Sequence, residues 1–133
     1  MKNFLFSLLV LSLSLVSCKK EATFDDKLIG EWTSTSVKVG GSDVTNSNSV
    51  VMTIEASREF DADITVAPLF GSPVTNSYTG DWSADELKQE LILKYSTGEQ
   101  EKYDITSLTE NIMKASTVVE NVRREFVFEK TAK

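Results

Sequence analysis

The chain of 133 residues contains no histidine and a single cysteine. Without histidine, the commonest general base and the commonest metal ligand are both missing. With Cys18 alone, no internal disulfide can form, so a domain of this size must be held by its core. Basic residues are in deficit, 14 Lys and Arg against 20 Asp and Glu, for a net charge of −6. That balance argues against a nucleic-acid partner and against electrostatic adhesion to an anionic membrane surface. No apolar run reaches the ~20 residues of a membrane-spanning helix, and no stretch keeps a long helical period. The two prolines, Pro68 and Pro73, both fall in one loop-like stretch.

What is present begins with an address. Lys2 precedes a mostly apolar run from Phe4 to Val16, interrupted by Ser7, Ser12 and Ser14. Its length suits the apolar region of a secretory signal. Leu15-Val16-Ser17-Cys18 resembles the lipobox of bacterial lipoproteins. The resemblance implies cleavage before Cys18, a diacylglyceryl thioether on its sulfur and acylation, commonly with palmitate, of the new amine. On this reading residues 1–17 are a signal peptide, 18–27 a lipidated tether and 28–133 the domain. Loss of the signal removes Lys2 alone among charged residues, so the remainder is still more acidic. The membrane partner is then met through the lipid, on a leash of about 20–30 Å. Lys19 stands where some lipoproteins carry an inner-membrane aspartate, which implies the outer membrane within the cell envelope. Lys19-Lys20-Glu21 also resembles surface-display signals, leaving a periplasmic or an outward-facing protein.

Phe24 to Ile29 reads as a helical turn, with Phe24 and Leu28 on one face, acids at its start and Gly30 free to take positive φ after it. From Trp32 the hydrophobic period is two. Trp32 is out of phase with Val37 and Val39, which calls for a bulge or bend between them. Val50, Met52 and Ile54 alternate, as do Phe60, Ala62, Ile64 and Val66. Ala56–Glu59 reads as a turn, one long bent strand being the alternative. Tyr78, Gly80 and Trp82 share a face, with Gly80 marking a bend or a close backbone approach. Leu91, Leu93 and Tyr95 follow, then Tyr103 and Ile105, then Met113, Ala115 and Thr117, and last Val122, Arg124, Phe126 and Phe128. Turns are expected at Gly40–Asp43, Ser83–Leu87, Ser96–Glu99, Ser107–Asn111 and Glu120-Asn121. About eight short strands with hairpin-length links predict an all-β protein, either an up-and-down antiparallel barrel or an immunoglobulin-like sandwich.

Gly30-Glu31-Trp32 resembles the G-x-W signature of lipocalins. Tyr78-Thr79-Gly80-Asp81-Trp82-Ser83, followed by Leu91-Ile92-Leu93, resembles the middle of small lipocalin-like domains of bacterial lipoproteins. The resemblance spans roughly residues 28 to 130 and implies a small eight-stranded barrel with a short helical turn before its first strand. It also implies that Trp32 closes one end and that an arginine of the last strand packs across it. Arg124 fits that role by position and phase, with Arg123 as the alternative. The chain is shorter than most lipocalins and lacks their disulfides and C-terminal helix.

No residues read as a catalytic constellation, a metal site or a cofactor site. Asp61 and Asp63 share a strand face about 7 Å apart, the separation of some glycosidase carboxylate pairs. They alternate with core residues, so a solvated face explains them better than catalysis or a weak calcium site. The candidate ligand-lining residues are Phe60, Tyr78, Trp82, Tyr103 and Phe126. The inward positions are mostly bulky, with Ala62, Gly80 and Ala115 the small exceptions, which predicts a largely self-filled interior and a small pocket at the open end near Tyr78 and Trp82. The expected protein is thus a non-enzymatic binder of a small apolar or partly apolar molecule. The alternative is a structural or interaction module with an envelope protein partner.

Overall fold

Thr23 opens the first regular element. In the computed structural model, which describes residues 18–132, its hydroxyl accepts the Asp26 amide at 3.2 Å and its own amide donates to the Asp26 carboxylate at 3.0 Å. This reciprocal cap starts the helix α1 (Phe24–Leu28) and holds the Asp26 carboxyl below its usual range. Phe24 and Leu28 are both buried. The folded domain therefore reaches back to Thr23, ahead of residue 28, and takes in part of the stretch expected to be tether. The signal-peptide reading concerns residues 1–17, which lie outside the described residues. Gly30 follows the helix at φ +143°, and a Cβ there would press on the Lys130 side chain at 3.1 Å.

Nine strands follow: β1 (Gly30–Val39), β2 (Ser42–Asp43), β3 (Asn48–Ile54), β4 (Glu59–Val66), β5 (Val74–Asp85), β6 (Glu90–Tyr95), β7 (Gln100–Leu108), β8 (Ile112–Val119) and β9 (Val122–Lys130). β2 is a two-residue flap paired to the end of β1. The other eight pair with their sequence neighbours in antiparallel fashion, and β9 pairs back onto β1. This is a closed up-and-down barrel. A sandwich is excluded, because it needs crossed connections and the closure of β9 on β1 leaves none. Among the described residues, no helix is long and apolar enough to cross a membrane.

The phase change in the first strand has its expected cause. The β1–β9 register shifts between Ser34 and Ser36, so that Trp32 and Val37, of opposite parity, are both buried. A second shift, between Ile105 and Ser107, lets β7 continue to Leu108 where a turn from Ser107 was expected. Likewise β5 runs to Asp85, into the expected Ser83–Leu87 turn. The chain does turn after Ile54 without glycine: Arg58 takes φ +76° and its amide donates to the Glu55 carbonyl at 3.1 Å. Glu120 and Asn121, both at positive φ, form the tight turn that suits a two-residue hairpin. Gly80 marks a close backbone approach: a Cβ there would collide with the Lys94 carbonyl on β6.

The register gives the barrel two unlike ends. α1, the β3–β4 turn, the β5–β6 and β7–β8 links and Lys130 gather at one end, and α1 closes it. The Trp32 indole N–H donates to the Leu28 carbonyl at 2.7 Å, and the Trp82 indole N–H donates to the Glu55 carbonyl at 2.7 Å. A cation lies over each ring: Lys130 Nζ at 4.6 Å from the Trp32 centroid, and the Arg58 guanidinium at 4.4 Å from that of Trp82. Arg58 also reaches Asp25 of α1 at 2.6 Å. The other end, ringed by the loops after β1, β4, β6 and β8, is open.

Arg124 is thus not the residue over Trp32. It pairs with Val39, whereas Trp32 pairs with Lys130. Six residues at ~3.3 Å each separate Arg124 from Lys130 by about 20 Å along β9. The expected phase holds, since both are even-numbered like Phe126 and Phe128, but Arg124 stands at the opposite end of the barrel.

Candidate functional site

The open end leads into a cavity of about 260 Å³. Its walls are aliphatic on three strands: Val37 and Val39 from β1, Val50 and Met52 from β3, and Ala62, Ile64 and Val66 from β4. Strands β6, β7 and β9 supply the opposite wall with Leu93, Tyr95, Glu101, Tyr103, Arg124, Phe126 and Phe128, and Asn48 sits among the lining residues at the start of β3. The strand alternation that buries Met52 and Ala62 lower in the barrel aims Val50 and Ile64 into this space. Phe126 stacks on Phe128 with centroids 5.5 Å apart and meets Tyr103 at 6.1 Å, which forms a continuous aromatic wall.

The polar groups are few and grouped. The Tyr95 hydroxyl donates to Glu101 Oε2 at 2.7 Å. Burial, then the hydrogen bond and charge of Glu101, push the Tyr95 phenol far above its ordinary value. Burial first, and next the Glu101 charge, raise Tyr103 well above its ordinary value as well. Both phenols therefore keep their protons and serve as hydroxyl groups at any physiological pH. Arg124 brings the cavity a cation that enters none of the ion pairs found among the described residues.

Of the five residues expected to line a ligand site, Tyr103 and Phe126 line this cavity. Phe60 is buried below it, edge-on to Tyr95 at 5.5 Å. Tyr78 lies exposed, edge-on to Tyr95 at 5.7 Å. Trp82 is buried toward the closed end under Arg58, so the pocket is not beside it. Tyr95, Glu101 and Arg124 were not anticipated there, although their signal was available: Tyr95 continues the face of Leu91 and Leu93, and Glu101 that of Tyr103 and Ile105. Cys18 is exposed, upstream of α1.

A wider groove of about 550 Å³ lies on the outer surface. Glu55, Glu59, Asp61 and Asp81 line it together with Lys94. Phe60 and Tyr95 are the large apolar side chains among its otherwise polar lining, and among the described residues no group of three His, Cys, Asp or Glu is placed to hold a metal. Asp61 and Asp63 are both exposed, and Asp63 accepts from the Ser77 hydroxyl at 2.5 Å. Neither carboxylate faces an enclosed space.

The closed barrel, the helix across its base and the apolar cavity at its mouth define a calycin-type protein. The model of the lipocalin-like domain family matches residues 28–115, and the chain belongs to that family. Among solved structures it is similar to a lipocalin-like protein from Bacteroides uniformis, at 13% identity and a TM-score of 0.55, covering 79% of this chain and 99% of that one. It is also similar to bovine odorant-binding protein in complex with a selenium-containing odorant, at 12% identity and a TM-score of 0.51, covering 84% of this chain and 74% of that one. The same bovine protein complexed with its natural ligand matches at 12% identity and a TM-score of 0.50, covering 80% of this chain and 73% of that one. At such identities the likeness is one of fold. The search of curated proteins returned no match.

Proposed function

We propose that the protein is a membrane-anchored, non-enzymatic carrier or receptor of a small, largely apolar molecule. The observation that carries this reading is the open, mostly aliphatic and aromatic cavity of about 260 Å³, in a barrel whose other end is shut by α1. The fold shared with an odorant-binding protein supports it. Size follows from volume. A cavity of ~150 Å³ accommodates benzene, so this one admits roughly ten non-hydrogen atoms, and a long acyl chain would protrude.

The anchor is the Cys18 thioether. α1 follows within a few residues and packs on the closed end, so an acylated Cys18 turns that end toward the membrane and the cavity mouth away from it. This orientation suits capture from the aqueous side of the cell envelope, with the outer membrane as the proposed location. Mass spectrometry of the mature N-terminal peptide should find acyl chains on residue 18, and an unmodified thiol there would refute the anchor. For binding, native mass spectrometry of protein purified from its own membrane should find a co-purifying small molecule. Ala62→Phe, which fills the cavity floor, should abolish its retention, whereas retention unchanged by that substitution would refute the site.

One observation favours a second reading, an interaction module. Leu69 and Phe70, on the loop between β4 and β5 at the mouth, are 97% and 93% exposed. An envelope protein bound there should be lost on Leu69→Ser with Phe70→Ser. Ligand retention without any such partner supports the carrier reading alone.

A further inference from the structure

We propose that the cavity selects small amphiphilic acids, the ligand carboxylate pairing with Arg124 and its apolar body lying against Met52, Val50 and Phe126; the inference rests on the binding reading above. Arg124 lines the cavity from β9 and is partly buried. Its neighbour Arg123 has Glu125 at 3.6 Å, and Arg58 has Asp25 at 2.6 Å. Arg124 enters no ion pair among the described residues. Its guanidinium, at the mouth of an apolar cavity and still reached by water, is free to meet a carboxylate with two parallel hydrogen bonds.

The other charge on the wall, Glu101, is already served. Tyr95 donates to it at 2.7 Å, and Tyr103 lies in the same partly buried cluster of the wall, where the Glu101 charge acts on it. The wall therefore holds a carboxylate with a phenol donor and, among the described residues, a guanidinium with no carboxylate partner. That asymmetry sets the sign of the missing partner. Because the chain is acidic overall, at −6, long-range attraction does not draw an acid in. Selectivity for acids would depend on Arg124. Octanoate, with about ten non-hydrogen atoms, matches the volume by the benzene comparison.

The test is calorimetric titration of the purified protein with octanoate, 1-octanol and octylamine, with the methyl resonance of Met52 reporting whether the probe enters the cavity. Octanoate should bind at least about tenfold more tightly than 1-octanol, the scale of a charge-assisted hydrogen-bonded pair. Arg124→Gln should erase that preference while 1-octanol binding stays within about twofold and the Met113 methyl, buried in the core, keeps its resonance. Arg123→Gln, at an exposed residue outside the cavity lining, should keep the preference for the acid even if Arg124→Gln proves misfolded, and its loss there would overturn the pairing. Equal binding of acid and alcohol, or a preference that survives Arg124→Gln, would overturn the pairing and leave apolar binding standing. Tightest binding of octylamine would also overturn it and assign the headgroup to Glu101. Failure of all three probes to shift Met52 would refute the binding reading itself.

Discussion

Replacing Lys130 by methionine isolates the polar work at the closed end, because methionine keeps most of the stem and removes the ammonium. In the native barrel that ammonium donates to the Lys27 and Ile29 carbonyls, each at 2.8 Å. These lie at the C-terminal end of α1, where helical carbonyls lack partners within the helix. The same ammonium sits 4.6 Å above the Trp32 ring. A hydrogen bond involving a charged group contributes ~1.5–3 kcal/mol and a cation–π contact ~0.5–2 kcal/mol. Partial solvation of the ammonium, and the cost of burying it, which lowers the Lys130 pKa, offset much of the sum. A net loss of about 2 kcal/mol is expected, or a fall in Tm of roughly 6–10 °C for a domain of this size. Urea unfolding followed by tryptophan fluorescence measures it, with Arg124→Met as the comparison, expected within about 0.5 kcal/mol as at ordinary surface sites. If Lys130→Met costs less than ~0.5 kcal/mol, or Arg124→Met costs as much as it does, the assignment of Lys130 as the closing residue is wrong.

Gly80→Ala should prevent folding or cost several kcal/mol, since its Cβ would meet the Lys94 carbonyl in a rigid sheet; soluble, fully stable protein from that variant would refute the close approach. Arg58→Ala should lower stability by about 1 kcal/mol through the lost Asp25 pair and Trp82 contact, and its effect in denaturant should shrink at high salt. Tyr95 and Tyr103 have folded pKa values raised above the ordinary ~10, so the unfolded chain releases those protons first as pH rises. Their contribution is intact below about pH 10 and is lost as pH climbs from there toward the folded values. Tyrosinate absorbance should accordingly appear for these two together with unfolding, and Tyr103→Phe should reduce the steepness of alkaline denaturation. Ionisation of both in the folded barrel near pH 10 would contradict their burial.

Faces were legible in the sequence because the strand period is two and the pleat obeys it. The period places Met52, Phe60, Leu91 and Phe128 inward, and all are buried. The bulge in β1 was legible for the same reason: two buried residues of opposite parity cannot share a strand without an extra residue between them. The bulge in β7 was not, because Ser107 and Thr109 look like turn residues and Leu108 alone signals that the strand continues. The helical turn from Phe24 is legible from its apolar face and its acids, while the Thr23–Asp26 cap that starts it is local in its effect and lies ahead of a boundary drawn at residue 28.

Height along the barrel is a different quantity from face, and the site turned on it. Arg124 and Lys130 are indistinguishable by parity, and only the pairing of β9 with β1 tells which one meets Trp32. The same confusion put Trp82 beside the pocket: it shares a face with Tyr78, yet four residues at ~3.3 Å carry it about 13 Å toward the closed end. The turns contain the information that resolves this. Positions next to Gly40-Gly41, Pro68–Asn76, Ser96–Glu99 and Glu120-Asn121 must all lie at one end of an up-and-down barrel, and those next to the intervening turns at the other. Sorted this way, inward side chains of β1, β3 and β4 grade in volume. Trp32, Ile54 and Phe60 crowd the closed half, while Val37, Val39, Val50, Ile64 and Val66 line the open half and face the aromatic wall of Tyr95, Tyr103 and Phe126. Eight strands enclose just enough space to be filled by side chains or to hold one small ligand, and here valines in place of tryptophans leave the open half unfilled on that wall. The cavity is therefore written as a gradient of side-chain size along one wall of the barrel, with Arg124 at its open end, outside every ion pair among the described residues.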